Sequence, residues 1–285
     1  MNDETIMNPT IEKMLLHASV RDFKAEPLSA DVKELLIKAA QSGASSNFLQ
    51  AYSIIEIADN DLRRELAKIS GSDDYVNQTG VFYIFVADWY RQAQILQTEN
   101  KDVKALQNME ALTVAIVDTT IAAQNMAIAA ESMGLGICYI GGIRNDIAKV
   151  ADLLDLPELT VPLFGLTIGM PKTRNEVKPR LPRANILSVN AYNRVTVSDL
   201  QAYNEQTSDY YANRSHHQKS TDWTQEMSNF LTKPRREDVA KFLKKQGFTP
   251  SISNHGILPN PLYIVEAHFD EDVLTLLSVI LILGQ

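Results

Sequence analysis

Residues 134–142, Gly134-Leu135-Gly136-Ile137-Cys138-Tyr139-Ile140-Gly141-Gly142, decide how the centre of this chain folds. The apolar run 137–140 predicts a strand, and the glycines on either side let the backbone turn and let a ligand approach its N–H groups closely. A basic, proline-containing segment follows at Lys178–Arg183. If that segment folds back onto the glycine backbone, fixed positive charge and bare amides meet in one place. That combination suits a phosphorylated redox cofactor.

The residues before this stretch predict a long buried helix over Met109–Met133. Apolar side chains surround it on almost every side, and a helix of that kind has to be buried. Gly134 stands where the residue after a helix adopts a left-handed conformation.

Helices and strands alternate along the rest of the first 170 residues. The patterns predict strands at 52–58, 81–87 and 159–168, and helices at 29–40, 59–70 and 145–154. Residues 170–196 carry prolines and few periodic signals, and further helices are predicted from 198 past 211, at 222–230 and at 235–245. We therefore predict an α+β core over residues 1 to 170, with the later helices packed on it as an excursion rather than as a separate domain.

Composition excludes several classes of protein. The 285 residues carry a formal net charge of −8, which disfavours a general nucleic-acid binder because such proteins need a broadly basic face. The single cysteine, Cys138, rules out an intramolecular disulfide framework and indicates a reducing cytoplasmic compartment. The N-terminal residues have no secretory pattern, and the apolar run 273–283 is too short for the roughly 20 residues of a membrane span.

The motif search is negative for hydrolases, kinases and metalloenzymes. The chain has no GxSxG, Walker A, HExxH or EF-hand pattern, and Tyr139 stands where a dinucleotide fingerprint needs its third glycine. A metal site is not expected, since His216 and His217 are adjacent and would diverge on a helix or strand. If the protein is an enzyme, a bound cofactor carries the chemistry.

Five short motifs in register carry a family resemblance. They read HASVRDF at 17–23, SSNFLQ at 45–50, AESMGLG at 130–136, YIGGIRN at 139–145 and KPRLP at 178–182. Together they resemble the nitroreductase superfamily, and specifically the group A oxygen-insensitive NADPH nitroreductases and FMN-dependent NADPH flavin reductases. The resemblance implies one domain over residues 10–247, of which 170–247 form the helical excursion, and an atypical C-terminal extension at 248–285.

The resemblance also implies a nitroreductase-like fold and a cofactor site. The fold would have a mixed central sheet surrounded by helices, in an interlocked homodimer that binds two FMN molecules at the subunit interface. For the phosphate and the ring edge it assigns His17, Ser19 and Arg21, with Lys178 and Arg180 completing the anionic pocket. Along the isoalloxazine it assigns Tyr139, Ile140, Gly141 and Gly142, and from the partner chain Ser45 and Asn47. Two positions depart from the family pattern, since Ala18 replaces an arginine and Asp73 replaces a glutamine.

By the same resemblance, Arg214 and Lys219 would grip the 2′-phosphate of NADPH. NADPH would reduce the flavin, and a nitroaromatic, quinone or similar planar acceptor would then take two electrons at the same site, in a ping-pong order without a catalytic side chain. Two alternatives stay open. The protein could supply reduced FMN as a flavin reductase, or it could bind flavin without turnover as a storage or sensor protein.

Overall fold

The computed structural model describes residues 7–194 and 197–249. At its centre lies a four-stranded sheet formed by β1 (Tyr52–Glu56), β2 (Val81–Asp88), β3 (Gly136–Ile140) and β4 (Thr160–Gly169). The strand order is β1-β2-β4-β3, and each neighbouring pair is antiparallel. The strands predicted at 52–58, 81–87, 137–140 and 159–168 are confirmed, with the first one ending at Glu56.

The expectation of a mixed sheet is wrong for the described residues. Strands β2 and β3 run in the same direction, which a long connection between them permits. However, β4 inserts between them, so they are not neighbours and no parallel ladder forms in this part of the chain.

Helices cover both faces of the sheet and form the C-terminal excursion. They are α1 (Pro9–Leu15), α2 (Ala30–Gln41), α3 (Asn60–Ser70), α4 (Asp73–Val76), α5 (Tyr90–Thr98), α6 (Met109–Ser132), α7 (Ile147–Leu153), α8 (Arg183–Ile186), α9 (Gln201–Asn213), α10 (Trp223–Leu231) and α11 (Val239–Lys245). Helices α1, α4, α5 and α8 were not predicted, and a 3₁₀ turn, Val197–Leu200, precedes α9 where the sequence predicts the helix to start.

Alternation along the strands divides the core into two layers. On β2, Val81, Tyr83 and Phe85 face α2 and α6, while Phe82 and Ile84 face α3 and α7. Because successive side chains of a strand point to opposite faces, one strand buried on both faces serves both layers. A third cluster closes one end of the molecule, where Phe242 and Phe248 pack beside α5 and α7.

Helix α6 is the long helix that the sequence predicts. The Asn108 side chain accepts from the amide of Ala111 at its start, and Gly134 follows its end at φ +80°, the left-handed region that glycine enters without strain. Alanines dominate its buried face, and α2 and the sheet pack against that face. Its other face is not covered within one chain, where Val117 is 48% exposed.

By length and composition, α6 is also the one helix in the described part of the chain that could cross a membrane. Half of its most apolar window is buried inside the protein, as in the core helix of a globular domain.

Local cap signals mostly predict where the helices begin. Ser29, which the sequence predicts as a cap, caps α2, Asp59 caps α3, and Gly71 ends α3 at φ +65°. For the helix predicted over 145–154, the sequence predicts Asn145 as the cap, and this is wrong because Asp146 accepts from the Lys149 amide and caps α7. The side-chain oxygen of Asn145 accepts instead from the Arg236 guanidinium.

The proposed C-terminal extension lies outside the described residues from 250 onward, and the apolar run 273–283 lies there too. The first two residues of that extension are described and belong to the packed core. Phe248 is buried, and the Thr249 amide donates to the carbonyl of Gln107.

A buried carboxylate on α6 holds the loop at 45–50. Asp118 is 1% exposed and accepts from the amides of Ser46 at 2.9 Å and Ala51 at 3.1 Å. Between these two anchors, Asn47 and Phe48 adopt left-handed backbone conformations, and Phe48 is 81% exposed. The conformation of this loop therefore depends on Asp118.

We expect Asp118→Ala to lower the free energy of unfolding by about 2–4 kcal/mol, because it leaves two sequestered amides without an acceptor. Urea denaturation of both proteins at equal concentration measures this difference. Thr120→Ala, an exposed position on the same helix, is the matched control and should shift stability by less than about 0.5 kcal/mol. An Asp118→Ala curve that overlays the wild type would contradict the anchoring role.

Candidate functional site

The N-terminal segment 17–24 lies along the edge of the sheet. The Val20 amide donates to the carbonyl of Ile137, and the Lys24 amide donates to that of Met170, both at 2.9 Å. Val20 is buried, so its neighbours Ser19 and Arg21 point away from the core. The sheet edge thus fixes two of the predicted cofactor residues on one surface.

The segment 171–180 is held against that surface from two sides. On one side, the Asn175 side chain donates to the Ser19 carbonyl at 2.8 Å. On the other side, the Tyr203 hydroxyl of α9 donates to the Pro179 carbonyl at 3.1 Å. The excursion and the N-terminal segment therefore position Lys178 and Arg180 together.

These elements enclose a cleft of about 570 Å³. The predicted residues that line it are His17, Ala18, Ser19, Arg21, Lys178, Arg180 and Arg214. Residues separated by nearly 200 positions in the sequence are thereby brought to one site, as the resemblance implied.

The cleft concentrates positive charge that its two carboxylates, Asp22 and Glu176, do not pair with. The pKa of Lys178 lies below its usual value because of burial first and then because of Arg21, Arg214, Lys219 and Arg180. Within the described residues, Arg21, Lys178, Arg180 and Arg214 form no ion pair. A bound anion would relieve this repulsion, so the cleft is built to take an anionic ligand.

A smaller cavity of about 200 Å³ adjoins the cleft, and the two share His17 and Arg180. Nδ1 of His17 is 2.7 Å from the Glu131 carboxylate, which orients the ring and leaves Nε2 available. Tyr139 lines the same cavity, and its hydroxyl donates to the Gln124 side chain at 3.3 Å. Burial and the nearby Glu131 raise the pKa of Tyr139, so its phenol stays protonated.

The two glycines after β3 occupy very different surroundings. A Cβ at Gly142 would come 2.2 Å from the carbonyl oxygen of Ser70, so this position has to be glycine for the end of α3 to pack. A Cβ at Gly141 would meet only side-chain ends, Arg144 Nη2 at 3.7 Å and Arg236 Nη1 at 4.0 Å. The backbone at Gly141 is therefore the more open of the two. Ile140 turns its side chain into the core.

Other predicted residues do not line the cleft of a single chain. Ser45 accepts from the Gln50 amide at 3.2 Å, and Asn47 is exposed at φ +48° in the loop held by Asp118. Asp73 is exposed in the first turn of α4. Lys219 pairs with Glu226 at 2.6 Å, so its charge is already compensated.

The cleft also contains residues that the sequence reasoning missed. His216 and His217 both line it, contrary to the expectation that adjacent histidines diverge. That rule holds for helices and strands, whereas these residues lie in the loop after α9 and His217 has φ +55°. Glu176 lines the cleft as well, and hydrogen bonds from the Ser215 side chain and backbone lower the pKa of its carboxyl to about 2.

No cluster of three or more His, Cys, Asp or Glu side chains suited to a metal ion occurs in residues 7–194 and 197–249. The chemical groups assembled in the cleft are guanidinium, ammonium, imidazole and hydroxyl groups with two carboxylates, Asp22 and Glu176. Such groups bind and orient an anionic, partly aromatic ligand rather than a metal.

Comparison with known proteins gives concordant matches. The model described as "Nitroreductase family" matches residues 17–170, and the model of that family's C-terminal domain matches residues 178–251. The chain is 40% identical over 247 residues to the FMN reductase (NADPH) of Bacillus subtilis, covering 85% of this chain and 99% of that protein. It is 40% identical over 242 residues to the oxygen-insensitive NADPH nitroreductase of Salmonella typhimurium, with 85% and 99% covered.

The fold agrees with a solved structure. The structure of B. megaterium NfrA1 superposes with a TM-score of 0.82 at 42% identity, and the match covers 85% of this chain and 99% of that one.

We expect Gly142→Ala to cost about 2–4 kcal/mol of stability, because the atoms in its way are backbone atoms that cannot rotate aside. Gly141→Ala is the matched control, and it should cost less than about 1 kcal/mol since its Cβ makes ordinary contacts. Thermal unfolding of the two variants measures the difference. Equal losses at both positions would contradict the distinction drawn between the two glycines.

Proposed function

This chain belongs to the nitroreductase family, and from that premise we propose that it is an FMN-dependent oxidoreductase using NADPH as electron donor. Its acceptors would be nitroaromatics, quinones or related planar molecules, reduced by two electrons in a ping-pong order. The observation that carries this proposal is the cationic cluster around Lys178, whose members form no ion pair within the described residues.

The residues present fit FMN. Its phosphate needs several donors and compensating charge, which Ser19, Arg21, Lys178 and Arg180 supply in the cleft. Its flat ring needs space beside the phosphate pocket, which the adjoining cavity at Tyr139 supplies. Ala18 provides no charge where relatives place an arginine, so the remaining cations have to hold the phosphate.

When bound, FMN supplies the redox chemistry by accepting a hydride and releasing two electrons to an acceptor. The chain's own residues bind the cofactor and stabilise its charge. Arg180 reaches both the cleft and the adjoining cavity, so its guanidinium lies where it can balance negative charge that develops on a reduced ligand. His17, oriented by Glu131, offers its other ring nitrogen as a hydrogen-bonding group to the same ligand.

We also propose that the active form is a homodimer to which Ser45 and Asn47 contribute across the interface. Large apolar side chains remain on the surface of the single chain, on α1 (Leu15, Leu16), on α6 (Ile116, Val117) and at Phe48. A second copy covering these residues would bury the apolar face of α6 and bring the loop at 45–50 to the partner's cleft. The free, buried Cys138 accords with a cytoplasmic enzyme.

A second candidate function is the supply of reduced FMN to another protein. The name of the B. subtilis relative, FMN reductase (NADPH), favours this function. The same cleft would serve both reactions, so the acceptor distinguishes them. Steady-state rates with free FMN, a nitrofuran and a quinone should show the highest kcat/KM for the nitrofuran or the quinone if our proposal holds. A marked preference for FMN would identify a flavin reductase.

We expect the purified protein to be yellow, or to become so with FMN, and to be bleached anaerobically by one equivalent of NADPH. Absorbance spectra during the titration measure both properties, and a nitroaromatic added afterwards should restore the colour. A flavin that NADPH fails to bleach would indicate a storage or sensor protein. A colourless protein that binds no FMN in calorimetry would overturn the proposed cofactor.

We expect Lys178→Gln to weaken FMN binding by about 10–100-fold, because it removes a charged donor from the phosphate pocket. Lys24→Gln is the matched control, since Lys24 is exposed on the adjoining segment and does not line the cleft. Calorimetric titration with FMN should give a Kd within twofold of the wild type for the control. Equal affinities for all three proteins would place the phosphate elsewhere.

A further inference from the structure

The lining of the cleft includes two histidines that follow closely, along the chain, the arginine assigned to NADPH. His216, His217 and Arg214 all lie in the loop that follows α9, and all three line the same cleft. The left-handed backbone at His217 is what allows neighbouring side chains to line one cavity. Their placement is therefore a property of this loop and not of a helix or strand.

The loop is held in its present form by its own hydrogen bonds. Arg214 donates through Nη2 to the His217 carbonyl, and the Lys219 amide donates to the Tyr211 carbonyl at 3.0 Å. The guanidinium carbon of Arg214 also lies 5.2 Å from the centre of the Tyr211 ring. These contacts fix the Arg214 side chain and the backbone that carries the two imidazoles.

The loop after α9 supplies little fixed charge of its own. Lys219, the second residue assigned to the 2′-phosphate, already pairs with Glu226. Arg214 is the remaining permanent cation of this loop without an ion pair in the described chain. A phosphate monoester carries close to two negative charges at neutral pH, so the loop by itself compensates it only in part.

The groups that face the two imidazoles come from every element around the cleft. They are His17, Arg21 and Asp22 from the N-terminal segment, Glu176, Lys178 and Arg180 from the segment 171–180, Tyr210 from α9, and Arg214 with the Lys219–Glu226 pair from the excursion. The two carboxylates lining the cleft are already engaged. Asp22 accepts from the Thr173 hydroxyl at 3.1 Å, and Glu176 accepts from the Ser215 amide at 3.0 Å.

We propose that His216 and His217 make recognition of the 2′-phosphate of NADPH pH-dependent, so that their protonation strengthens the preference for NADPH over NADH. This inference rests on the proposed function, because it deepens the donor specificity of the same cleft. Histidine is the side chain whose ordinary titration falls between pH 5 and 8. NADH has no 2′-phosphate, so it does not report on these charges.

The direction of this pH dependence follows from the linkage between ligand binding and proton binding. A ligand that binds the protonated form of a group more tightly promotes proton uptake, and its affinity rises as the pH falls through the titration of that group. Converting a neutral donor into a charged one strengthens a hydrogen bond to phosphate by about fivefold in affinity. We therefore expect the NADPH-to-NADH ratio of kcat/KM to rise about five- to twentyfold between pH 8.5 and pH 6.0.

Kinetics of the holoenzyme with each donor over that pH range test the proposal. In the double variant His216→Gln/His217→Gln, the ratio should be low and change by less than about twofold. In His216→Lys/His217→Lys, whose charges are permanent, it should already be high at pH 8.5. Gln218→Ala, a neighbouring position that does not line the cleft, is the control and should follow the wild type. Changes at the flavin, including those at His17, affect both donors and cancel in the ratio.

Calorimetry gives a readout that needs no turnover. Binding of 2′,5′-ADP at pH 7, measured in two buffers of different ionisation enthalpy, should take up protons in the wild type, since the bound phosphate favours the protonated imidazoles. In the glutamine double variant the sign should change to a small release, because the phosphate, with a second pKa of about 6, loses its residual proton on binding.

The outcomes separate the two proposals. A flat ratio in the wild type, or an equal rise in the glutamine double variant, would overturn the role of the histidines while leaving the NADPH-dependent activity intact. Absence of NADPH oxidation would overturn the proposed function, and in that case the calorimetric sign still decides whether the histidines respond to a 2′-phosphate.

Discussion

The cleft depends on the fold holding several like charges closer together than they would stay by themselves. Two unit charges about 8 Å apart repel by about 2 kcal/mol at the effective dielectric of a protein surface. Here burial is the first cause that lowers the pKa of Lys178, and repulsion from Arg21, Arg214, Lys219 and Arg180 lowers it further. Neutral hydrogen bonds keep these cations together, because Asn175 ties the segment 171–180 to the sheet edge and Tyr203 ties it to α9. The fold thus holds uncompensated positive charge, which an anionic ligand neutralises.

The same elements explain why the excursion belongs to the site. Helix α9 donates the hydroxyls of Tyr203 and Tyr210 to carbonyls of the segment 171–180, so removing α9 alone would free Lys178 and Arg180 to move apart and into solvent. The sheet fixes the opposite wall through the backbone of Val20 and Lys24. One wall of the cleft is therefore fixed by the sheet and the other by the peripheral helix α9. With this arrangement a ligand can bind with little change in the core.

The local part of this structure could be predicted from the sequence, and the nonlocal part could not. Ser29, Asp59 and Gly134 act within a few residues of themselves, so their caps and turns follow from residue type. The strand order depends on where β4 inserts, which no spacing along the chain records, and so the sheet was expected to be mixed. Asn145 fails as a cap for the same reason, since the distant Arg236 guanidinium donates to its side-chain oxygen, the atom that a cap would use.

The candidate site shows the same division. The motifs around His17, Arg21, Lys178 and Arg180 predict residues that the structure does bring together. The pairing of Lys219 with Glu226 was not predicted, because it depends on how α10 packs against the loop. The two histidines were dismissed on a periodicity rule that does not apply to a loop residue at positive φ.

A ping-pong reaction requires one cleft to hold a first ligand and to exchange a second. Arg21, Lys178 and Arg180 carry charge that persists at any physiological pH, and a cofactor that has to remain bound benefits from that permanence. A donor has to leave before the acceptor enters, so very tight binding of the donor would slow turnover by slowing its release. In the loop after α9, the charge of Lys219 is already compensated by Glu226, and Arg214 has no ion pair within the described residues. Strong charge for the ligand that stays and weaker charge for the ligand that leaves therefore follow from the same requirement.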